Sequence, residues 1–343
     1  MNVLVTGGAG YIGSHVCVEL LEQGHNVTVF DNFSNSSRNV LERISQVAGK
    51  RPSLYEGDLR KAQNIGCAIL THKPDAVMHF AGLKAVGESV IKPLDYYETN
   101  VSGTVNMLKA MQAFNVNHLV FSSSATVYAP PTTPDDLPLT ESSALGPVSP
   151  YGRSKLAVEH VLADYAAANP YASIAMLRYF NPIGAHPSGL IGEDPKGIPN
   201  NLLPYIAQVA VGKLPHLTLL GHGFDTPDGT GIRDYVHIMD LAEGHLAALD
   251  YLTAGFEGCF AMNLGTGQGH SVLEVIAAFE RASGKTIPIV EGTPRPGDIA
   301  VCYADASKAQ ELLGWKATCT LADMCADAWR WQSRNPEGYG RRQ

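Results

Sequence analysis

Tyr151 and Lys155 lie four positions apart, directly behind Ser149 and Pro150. Serine is a good N-cap and proline a good first helical residue, so we expect a helix to begin here with both side chains on one face. A nearby cation and the positive end of a helix both favour a phenolate and lower the pKa of a phenol. The pair therefore predicts a tyrosine that exchanges a proton near neutral pH. The alternative is a surface pair without a role, because this spacing also arises by chance on amphipathic helices.

Three consecutive serines, Ser122, Ser123 and Ser124, end a short apolar segment upstream of Tyr151. A hydroxyl in this place would hydrogen-bond the oxygen that gains and loses the proton. Strand alternation favours Ser124, although its two neighbours leave the choice open. The alternative is a serine that only caps a turn.

A glycine-rich turn near the start of the chain predicts a dinucleotide site. It follows a short apolar, β-branched run and leads into a helical pattern. In such a unit Gly7 permits the tight turn, Gly10 lets a pyrophosphate approach the backbone, and Gly13 lets the helix pack on the strand. The N-terminus of the helix then faces the phosphates.

The next apolar run ends at Asp31, 18 residues beyond Gly13. A carboxylate here would accept hydrogen bonds from a ribose diol and repel a 2′-phosphate, which favours NAD over NADP. The alternative is an aspartate that caps a turn.

The same alternation of apolar runs and helical stretches continues to about residue 180. It predicts an α/β protein with a doubly wound parallel Rossmann sheet, whose ligands lie beyond the carboxyl ends of the strands. Residues at such ends are Asp58, Phe80, Ala81, Gly82 and Ser124.

Glycine and proline punctuate the chain from Asn181 onward. We therefore expect a boundary near residue 180, with a smaller C-terminal α/β substrate-binding lobe at residues 181–343. Two helix starts in this lobe have the pattern of capping boxes, at Asp240 with Glu243 and at Ser271 with Glu274, so these residues are predicted to be structural.

Composition limits the class of protein. The 343 residues are 45% hydrophobic and carry a net charge of −8 without a basic stripe, which disfavours nucleic-acid and membrane partners. No apolar run approaches the roughly twenty residues of a membrane span, and no leader pattern follows Met1, so a cytoplasmic protein is expected. The six cysteines form no Cys-x-x-Cys pair, and neither a disulfide framework nor a metal site is predicted.

Further sequence motifs are spread over much of the chain. They occupy residues 80–89, 122–128, 177–181, 197–202 and 233–237. Together with the glycine turn and the Tyr-x-x-x-Lys pair, they resemble the extended short-chain dehydrogenase/reductase family, and within it the UDP-sugar 4-epimerases.

The resemblance implies a tightly bound NAD that is regenerated in each turnover. Tyr151 would take the proton of the sugar O4 while the C4 hydride moves to the nicotinamide. The resulting 4-keto sugar would turn within the site and take the hydride back on its other face. Lys155 would hold the nicotinamide ribose and lower the pKa of Tyr151, and Ser124 would hydrogen-bond the reacting oxygen.

Family positions imply three sets of site residues. The catalytic set is Ser124, Tyr151 and Lys155. The cofactor set is Gly7, Gly10, Tyr11, Ile12, Gly13, Asp31, Asn32, Asn35, Ser36, Asp58, Leu59, Phe80, Ala81, Gly82, Lys84, Asn100, Ser122, Ser124, Tyr151, Lys155, Tyr179 and Phe180. The UDP-sugar set is Lys84, Ser124, Tyr151, Asn181, Asn200, Asn201, Leu202, Thr218, Leu220, Arg233, Arg295, Asp298 and Cys302.

Within the last set, Arg233 and Arg295 are expected to clamp the diphosphate, because arginine presents a planar, permanently charged fork to phosphate oxygens. A solvated surface role is the alternative for Asp298.

Cys302 falls where family members have either a tyrosine or a small residue beside the sugar C2 group. A large ring occupies the space that an acetamido group needs, so a cysteine predicts acceptance of UDP-GlcNAc and UDP-GalNAc in addition to UDP-glucose and UDP-galactose. The alternative is an inert buried thiol whose neighbour Tyr303 closes the gap.

Three other functions remain open. A 4,6-dehydratase is disfavoured, because residues 125–127 read Ala-Thr-Val where that subgroup has an Asp-Glu pair. A UDP-glucuronate epimerase or decarboxylase depends on a single pocket residue and is harder to exclude. A non-catalytic NAD-binding protein would not need the three catalytic residues. Two helices, near residues 92–115 and 151–168, also resemble the pair that family members use to form a homodimer.

Overall fold

A computed structural model describes residues 1–293 and 298–340 of the chain. The strands within these ranges are β1 (Asn2–Thr6), β2 (Asn26–Asp31), β3 (Ser53–Glu56), β4 (Ala76–His79), β5 (His118–Ser122), β6 (Ser173–Tyr179), β7 (Asn181–Ile183), β8 (Leu217–Leu220), β9 (Ile232–His237), β10 (Gly258–Leu264), β11 (Gly269–Ser271), β12 (Ile289–Gly292) and β13 (Val301–Cys302). The helices are α1 (Tyr11–Glu22), α2 (Asn39–Ala48), α3 (Ala62–His72), α4 (Val86–Ile91), α5 (Pro93–Tyr96), α6 (Gly103–Ala113), α7 (Pro150–Ala168), α8 (Leu202–Ala210), α9 (Ile238–Thr253), α10 (Val272–Ser283), α11 (Ser307–Leu313) and α12 (Leu321–Arg334).

A seven-stranded parallel sheet forms the part of the molecule that the sequence predicts to bind the cofactor. Its strand order is β10-β6-β5-β4-β1-β2-β3. The central strands are apolar and buried, as parallel strands covered on both faces must be. Helices α1, α2 and α9 cover one face, and α3, α6 and α7 cover the other. The predicted doubly wound Rossmann fold is confirmed.

The order in which successive strands are added to the sheet reverses beside β1. Strands β2 and β3 lie on one side of β1, and β4, β5 and β6 lie on the other. Ligands of open parallel sheets bind in the crevice outside such a switch point, at the carboxyl ends of the strands. The turns after β1, β4 and β5 carry the glycine motif, residues 80–82 and the serine run, so the topology gathers them at one edge.

The C-terminal residues form smaller sheets packed against helices. Strands β11, β9 and β13 lie side by side, with β7 also paired to β9, while β8 and β12 form a separate parallel pair. Helices α8, α10 and α12 enclose a second core that includes Phe279, Ile206 and Met324. Strands β9 and β13, which contain Arg233 and Cys302, are therefore held by these smaller sheets and helices.

Two stretches beyond residue 180 nevertheless join the first sheet. Strand β10 pairs with β6 along its whole length, and α9 packs against α1, β5 and β6. The division at residue 180 stays a prediction.

Several predicted boundaries shift in the structure. Arg233 and Asp234 lie inside β9. Helix α9 begins at Ile238, where the His237 ring accepts a hydrogen bond from the Met239 N–H at 3.1 Å, so the predicted capping box at Asp240 is wrong. Asp240 instead accepts hydrogen bonds from residues 318 and 319, which keeps its predicted structural role.

Other predicted helices form largely as expected. Ser271 and Glu274 make the reciprocal capping box at the start of α10. The helix predicted near residues 92–115 is α5 followed by a π-helical segment (Tyr97–Ser102) and α6. Among the residues that the model describes, no helix is both long and apolar enough to cross a membrane.

Candidate active site

Tyr151 lies in the first turn of α7, as its sequence context predicts. The Ser149 hydroxyl caps this helix by accepting a hydrogen bond from the Gly152 N–H at 3.1 Å, and Pro150 is the first helical residue. The Tyr151 side chain is buried, and Ser124 lies near enough to its phenol to lower the pKa of Tyr151. The structure therefore brings together the predicted proton donor and its hydroxyl partner.

The pKa of Tyr151 differs from the sequence prediction. Burial raises it above the ordinary value of 10.0, and the hydrogen bond from Ser124 opposes this rise. Lys155, which is expected to lower it, donates a 2.6 Å hydrogen bond from its ammonium group to the Ser122 carbonyl oxygen. In the protein alone, Ser124 is therefore the residue that favours the phenolate.

Lys155 is buried one helical turn after Tyr151. Its Nζ lies 4.9 Å from the centre of the Phe121 ring. Burial lowers the pKa of Lys155 to about 8, while the negative charge of Glu159 opposes the shift. The ammonium group is thus fixed at the carboxyl end of β5, beside the serine run.

The three serines have separate partners. The Ser122 hydroxyl contacts the Tyr179 hydroxyl, and the Ser123 hydroxyl donates to Glu159 Oε1 at 2.5 Å. Ser124 accepts hydrogen bonds from the Thr126 N–H and hydroxyl at 3.2 and 2.9 Å. Ser124 therefore caps a turn, and its hydrogen bond to the reacting oxygen stays a prediction.

Sequence reasoning missed a buried ion pair beneath the serine run. Arg178 Nη2 and Glu159 Oε2 are 2.6 Å apart, and both side chains are almost fully buried. Arg178 also donates to the Tyr128 hydroxyl at 3.2 Å. An arginine inside the apolar strand β6 needs a carboxylate partner, and this was the available signal. The pair fixes α7 to β6 directly behind Ser123.

The glycine turn after β1 leaves no room for side chains. Gly7 has a φ of +68°, and a Cβ there would lie 2.7 Å from the Ala81 nitrogen. A Cβ on Gly13 would lie 2.4 Å from the Gly7 carbonyl oxygen. Gly10 precedes α1 and provides no side-chain cap for its first N–H groups. These N–H groups and the close backbone approach fit the pyrophosphate of a dinucleotide.

Asp31 ends β2 beside this turn. Its carboxylate accepts hydrogen bonds from the N–H groups of Ala9 and Phe33 at 3.0 and 2.8 Å, and from the Ser36 hydroxyl at 3.0 Å. Burial raises the pKa of Asp31, and these bonds oppose the rise. Asp31 therefore does hold a turn, and it does so at the place where the motif puts the ribose ligand.

Asp58 follows β3 and is held by two neighbours. Arg60 Nη2 and Asn32 Nδ2 donate to its Oδ2 at 2.6 and 3.2 Å. The hydrogen bonds from Arg60 lower the pKa of Asp58 to about 2. Of the other predicted cofactor residues near this end, Asn35 follows β2 and Leu59 follows Asp58.

Further predicted cofactor residues follow β4 and β6. Asn100 accepts a hydrogen bond from the Leu83 N–H at 2.8 Å and donates to Ser154 in α7 at 3.0 Å. A Cβ on Gly82 would lie 2.9 Å from Asn100 Oδ1. The aromatic residues Phe80, Tyr179 and Phe180 are at the carboxyl ends of these strands. These aromatic side chains and the buried Lys155 are the candidates to surround a nicotinamide ring.

The turn into α1 also contacts the C-terminal lobe. The Tyr11 hydroxyl donates to the Gly184 carbonyl oxygen at 2.8 Å, and Ile12 packs against the first core. Lys84 Nζ and Asn201 Nδ2 each donate to Glu193 Oε1 at 2.9 Å. The sequence did not predict Glu193, because Lys84 is 109 residues away and the intervening segment to Asn201 has no regular pattern.

The remaining predicted substrate residues lie on the C-terminal strands and loops. Arg233 forms an ion pair with Asp298, and its neighbour across the strands is Cys302. Cys302 packs in a small core with Val127 and Phe180. Asn181 begins β7, and Thr218 and Leu220 lie in β8. Asn200, Asn201 and Leu202 lead into α8, whereas Arg295 lies outside the described residues.

Known proteins resemble this chain along its full length. A family model described as GDP-mannose 4,6 dehydratase matches residues 4–328. The UDP-glucose 4-epimerase of Yersinia enterocolitica is 55% identical over 340 residues, with 99% of both proteins covered.

Solved structures give the same result. The UDP-glucose 4-epimerase from Bifidobacterium longum in complex with NAD+ and UDP has 53% identity and a TM-score of 0.95, covering 98% of this chain and 100% of that chain. The UDP-Glc/GlcNAc 4-epimerase from Campylobacter jejuni has 38% identity and a TM-score of 0.83, covering 97% of this chain and 99% of that chain. The chain therefore belongs to the UDP-glucose 4-epimerase family, as its motifs predicted.

Proposed function

We propose that this protein interconverts UDP-glucose and UDP-galactose with a bound NAD, and that it also interconverts UDP-GlcNAc and UDP-GalNAc. The observation that carries the proposal is the buried contact between Ser124 and Tyr151, with Lys155 one turn away, at the strand ends next to the glycine turn. The relatives with 53–55% identity are epimerases, and one was solved with NAD+ and UDP.

NAD, when bound, supplies a hydride acceptor and donor for the sugar C4. The N-terminus of α1 would hold its pyrophosphate, Asp31 its adenosine ribose and Lys155 its nicotinamide ribose. The close approach of Gly7 and Gly13 to neighbouring backbone supports this fit, because any side chain there would fill the cradle.

Tyr151 takes the proton from the sugar O4 and later returns it. Tyr151 must be a phenolate to accept this proton; burial raises the pKa of its phenol and opposes that state, while Ser124 lowers the pKa and stabilises the phenolate charge. Water is largely excluded from the phenol, so the proton passes between two fixed oxygens.

The C-terminal lobe binds the UDP part of the substrate. Arg233 and Arg295 clamp the diphosphate, and Asn181, Asn200, Asn201, Leu202, Thr218, Leu220 and Asp298 complete the pocket. The ion pair between Arg233 and Asp298 keeps the guanidinium charge neutralised before the substrate binds. The diphosphate must therefore compete with a carboxylate for this arginine.

Cys302 supports acceptance of the N-acetyl sugars. Its core neighbours Val127 and Phe180 follow the serine run and β6, respectively. The Tyr303 ring lies against Gly269 of β11, where a Cβ would be 3.6 Å from it. The Campylobacter jejuni relative is named for both sugar pairs, which is consistent with the proposal.

A direct experiment tests the proposed activity. The purified protein is incubated without added NAD, in separate reactions with UDP-galactose, UDP-GalNAc and UDP-glucuronate. We expect UDP-glucose and UDP-GlcNAc from the first two and no product from the third. Conversion of UDP-glucuronate alone would contradict the proposal.

We also propose that the protein is a homodimer. Helices α4 and α5 pack on α7 and expose Val90, Ile91 and Leu94 at 65%, 79% and 79%. Such an apolar group is typical of an interface. The helices that the sequence associates with dimers are adjacent to it, and a second copy of the chain would cover it. Light scattering should give twice the chain mass for the protein and the single mass for Leu94→Asp; a monomeric unaltered protein would contradict the proposal.

A further inference from the structure

Glu193 joins residues from both parts of the molecule. It lies between β7 and α8, and its Oε1 accepts hydrogen bonds from Lys84 Nζ and Asn201 Nδ2, both at 2.9 Å. Lys84 follows β4 of the first sheet, whereas Asn201 precedes α8 of the C-terminal lobe. One carboxylate oxygen thus links a predicted cofactor contact to a predicted substrate contact.

The carboxylate is the fixed member of this group. The Trp331 indole N–H donates to the Glu193 carbonyl oxygen at 3.3 Å, and the Tyr339 hydroxyl bonds both the N–H and the carbonyl oxygen of Gly192. The Glu193 side chain is 10% exposed, while that of Lys84 is 51% exposed. A half-exposed lysine is therefore held by a shielded carboxylate whose backbone is anchored by Trp331 and Tyr339.

The Glu193 carboxylate also lies close to Tyr11, in the turn that leads into α1. Lys84 Nζ lies 6.0 Å from the centre of the Tyr11 ring, and Tyr11 follows Gly10 of the glycine motif. Burial raises the pKa of Tyr11, and the charge of Glu193 adds to the rise. The Tyr11 hydroxyl therefore stays protonated and remains the donor to the Gly184 carbonyl oxygen at 2.8 Å.

We propose that Glu193 is a positioning residue that fixes Lys84 relative to Asn201 and thereby couples UDP-sugar binding to the cofactor turn. The inference rests on the proposed function, because that function gives Lys84 and Asn201 their ligands. Charge-assisted hydrogen bonds are stronger than neutral ones, and holding a lysine in advance reduces the entropy lost when a ligand binds.

Variants at position 193 separate the two contacts. Glu193→Gln keeps an oxygen that can accept from Asn201 but removes the charge that holds Lys84, and Glu193→Ala removes both. Glu291→Gln is the matched control, because it removes one negative charge from an exposed site in the same lobe. Each holoenzyme is tested for UDP affinity by calorimetry, for KM and kcat with UDP-galactose, for NAD content and for thermal unfolding.

We expect UDP affinity and KM to worsen about tenfold in Glu193→Ala and about threefold in Glu193→Gln, with kcat changed less than KM. The control should match the unaltered protein. The Glu193→Ala effect should shrink to less than about twofold when Lys84 and Asn201 are both already alanine, because the carboxylate then has nothing to position.

An undiminished effect in that background would overturn the proposal, as would unchanged UDP affinity in Glu193→Ala. If the alanine variant does not fold, the isosteric Glu193→Gln variant decides, and UDP affinity equal to that of the unaltered protein overturns the proposal. An unaltered protein that binds UDP without epimerising any UDP-sugar would contradict the proposed function alone. One that fails to bind UDP would contradict both.

Discussion

At the scale of single residues, burial and hydrogen bonding act in opposite directions on Tyr151. Burial raises the pKa of the phenol, and Ser124 lowers it. Lys155, which the sequence predicts to lower this pKa together with the helix N-terminus, donates to a backbone carbonyl oxygen. The four-residue spacing of Tyr151 and Lys155 could not show how strongly Lys155 acts on the phenol, because it does not reveal that the Ser122 carbonyl oxygen accepts a hydrogen bond from the same ammonium group.

Replacing Ser124 tests this balance. Ser124→Ala removes the hydrogen bond that lowers the pKa of Tyr151, so the rise of kcat with pH should move to higher pH. At pH 7 the variant should lose about 10²-fold or more in kcat, as expected for a lost donor to a developing charge. A kcat profile measured from pH 6 to 10 checks this. An unshifted midpoint would contradict the assigned role.

Cys302 provides a test of substrate range. Cys302→Tyr should reduce turnover of UDP-GalNAc at least 10²-fold and leave UDP-galactose turnover within about threefold, because the ring fills the acetamido space. Cys302→Ser is the matched control and should retain both activities. Parallel assays with the two substrates measure the ratio, and equal loss of both activities would show that Cys302 is only a packing residue.

At the scale of elements, local sequence patterns predicted individual strands and helices better than they predicted which distant strands pair. Strands β1 to β5 and the start of α7 were predictable from alternation, glycine and capping residues. The return of β10 to the first sheet was not, because β6 and β10 are separated by the whole of β7, β8, β9 and α9. Glu159 and Glu193 were missed for the same reason, since Arg178 and Lys84 belong to other elements of the fold.

The contact between α1 and β1 gives a matched pair of glycine variants. Gly13→Ala places a Cβ 2.4 Å from the Gly7 carbonyl oxygen, whereas Gly66→Ala in α3 adds a Cβ in open space. The first should destabilise the fold by about 1–3 kcal/mol and reduce the NAD content of the purified protein. The second should retain NAD and gain up to about 1 kcal/mol. Full NAD content in Gly13→Ala would contradict the assigned cradle.

At the scale of the whole molecule, buried neutral histidines should make the fold sensitive to acid. Burial lowers the pKa of His15 and of His79 to about 3, against 6.5 for a free histidine. The unfolded chain binds protons below pH 6.5 and the folded chain does not. Stability is therefore complete above pH 6.5 and is lost as the pH falls from there toward 3.

At pH 5 each of these histidines should lower the free energy of unfolding by about 2 kcal/mol relative to its value at pH 7.5. His79 sits between the Thr6 and Thr104 hydroxyls at 2.6 and 2.9 Å. His79→Gln should be less stable at pH 7.5 but lose less stability on acidification. Urea unfolding at the two pH values gives both quantities, and an identical acid loss in the variant would contradict the assignment.

The central claim is that the hydride removed from the sugar C4 returns to the same carbon, with Tyr151 handling the proton. The most direct measurement uses UDP-galactose labelled with deuterium at C4, incubated in ordinary water and analysed by mass spectrometry and NMR. We predict UDP-glucose that retains the deuterium at C4, and no measurable conversion by Tyr151→Phe. Product without deuterium, or full conversion by the variant, would contradict the account.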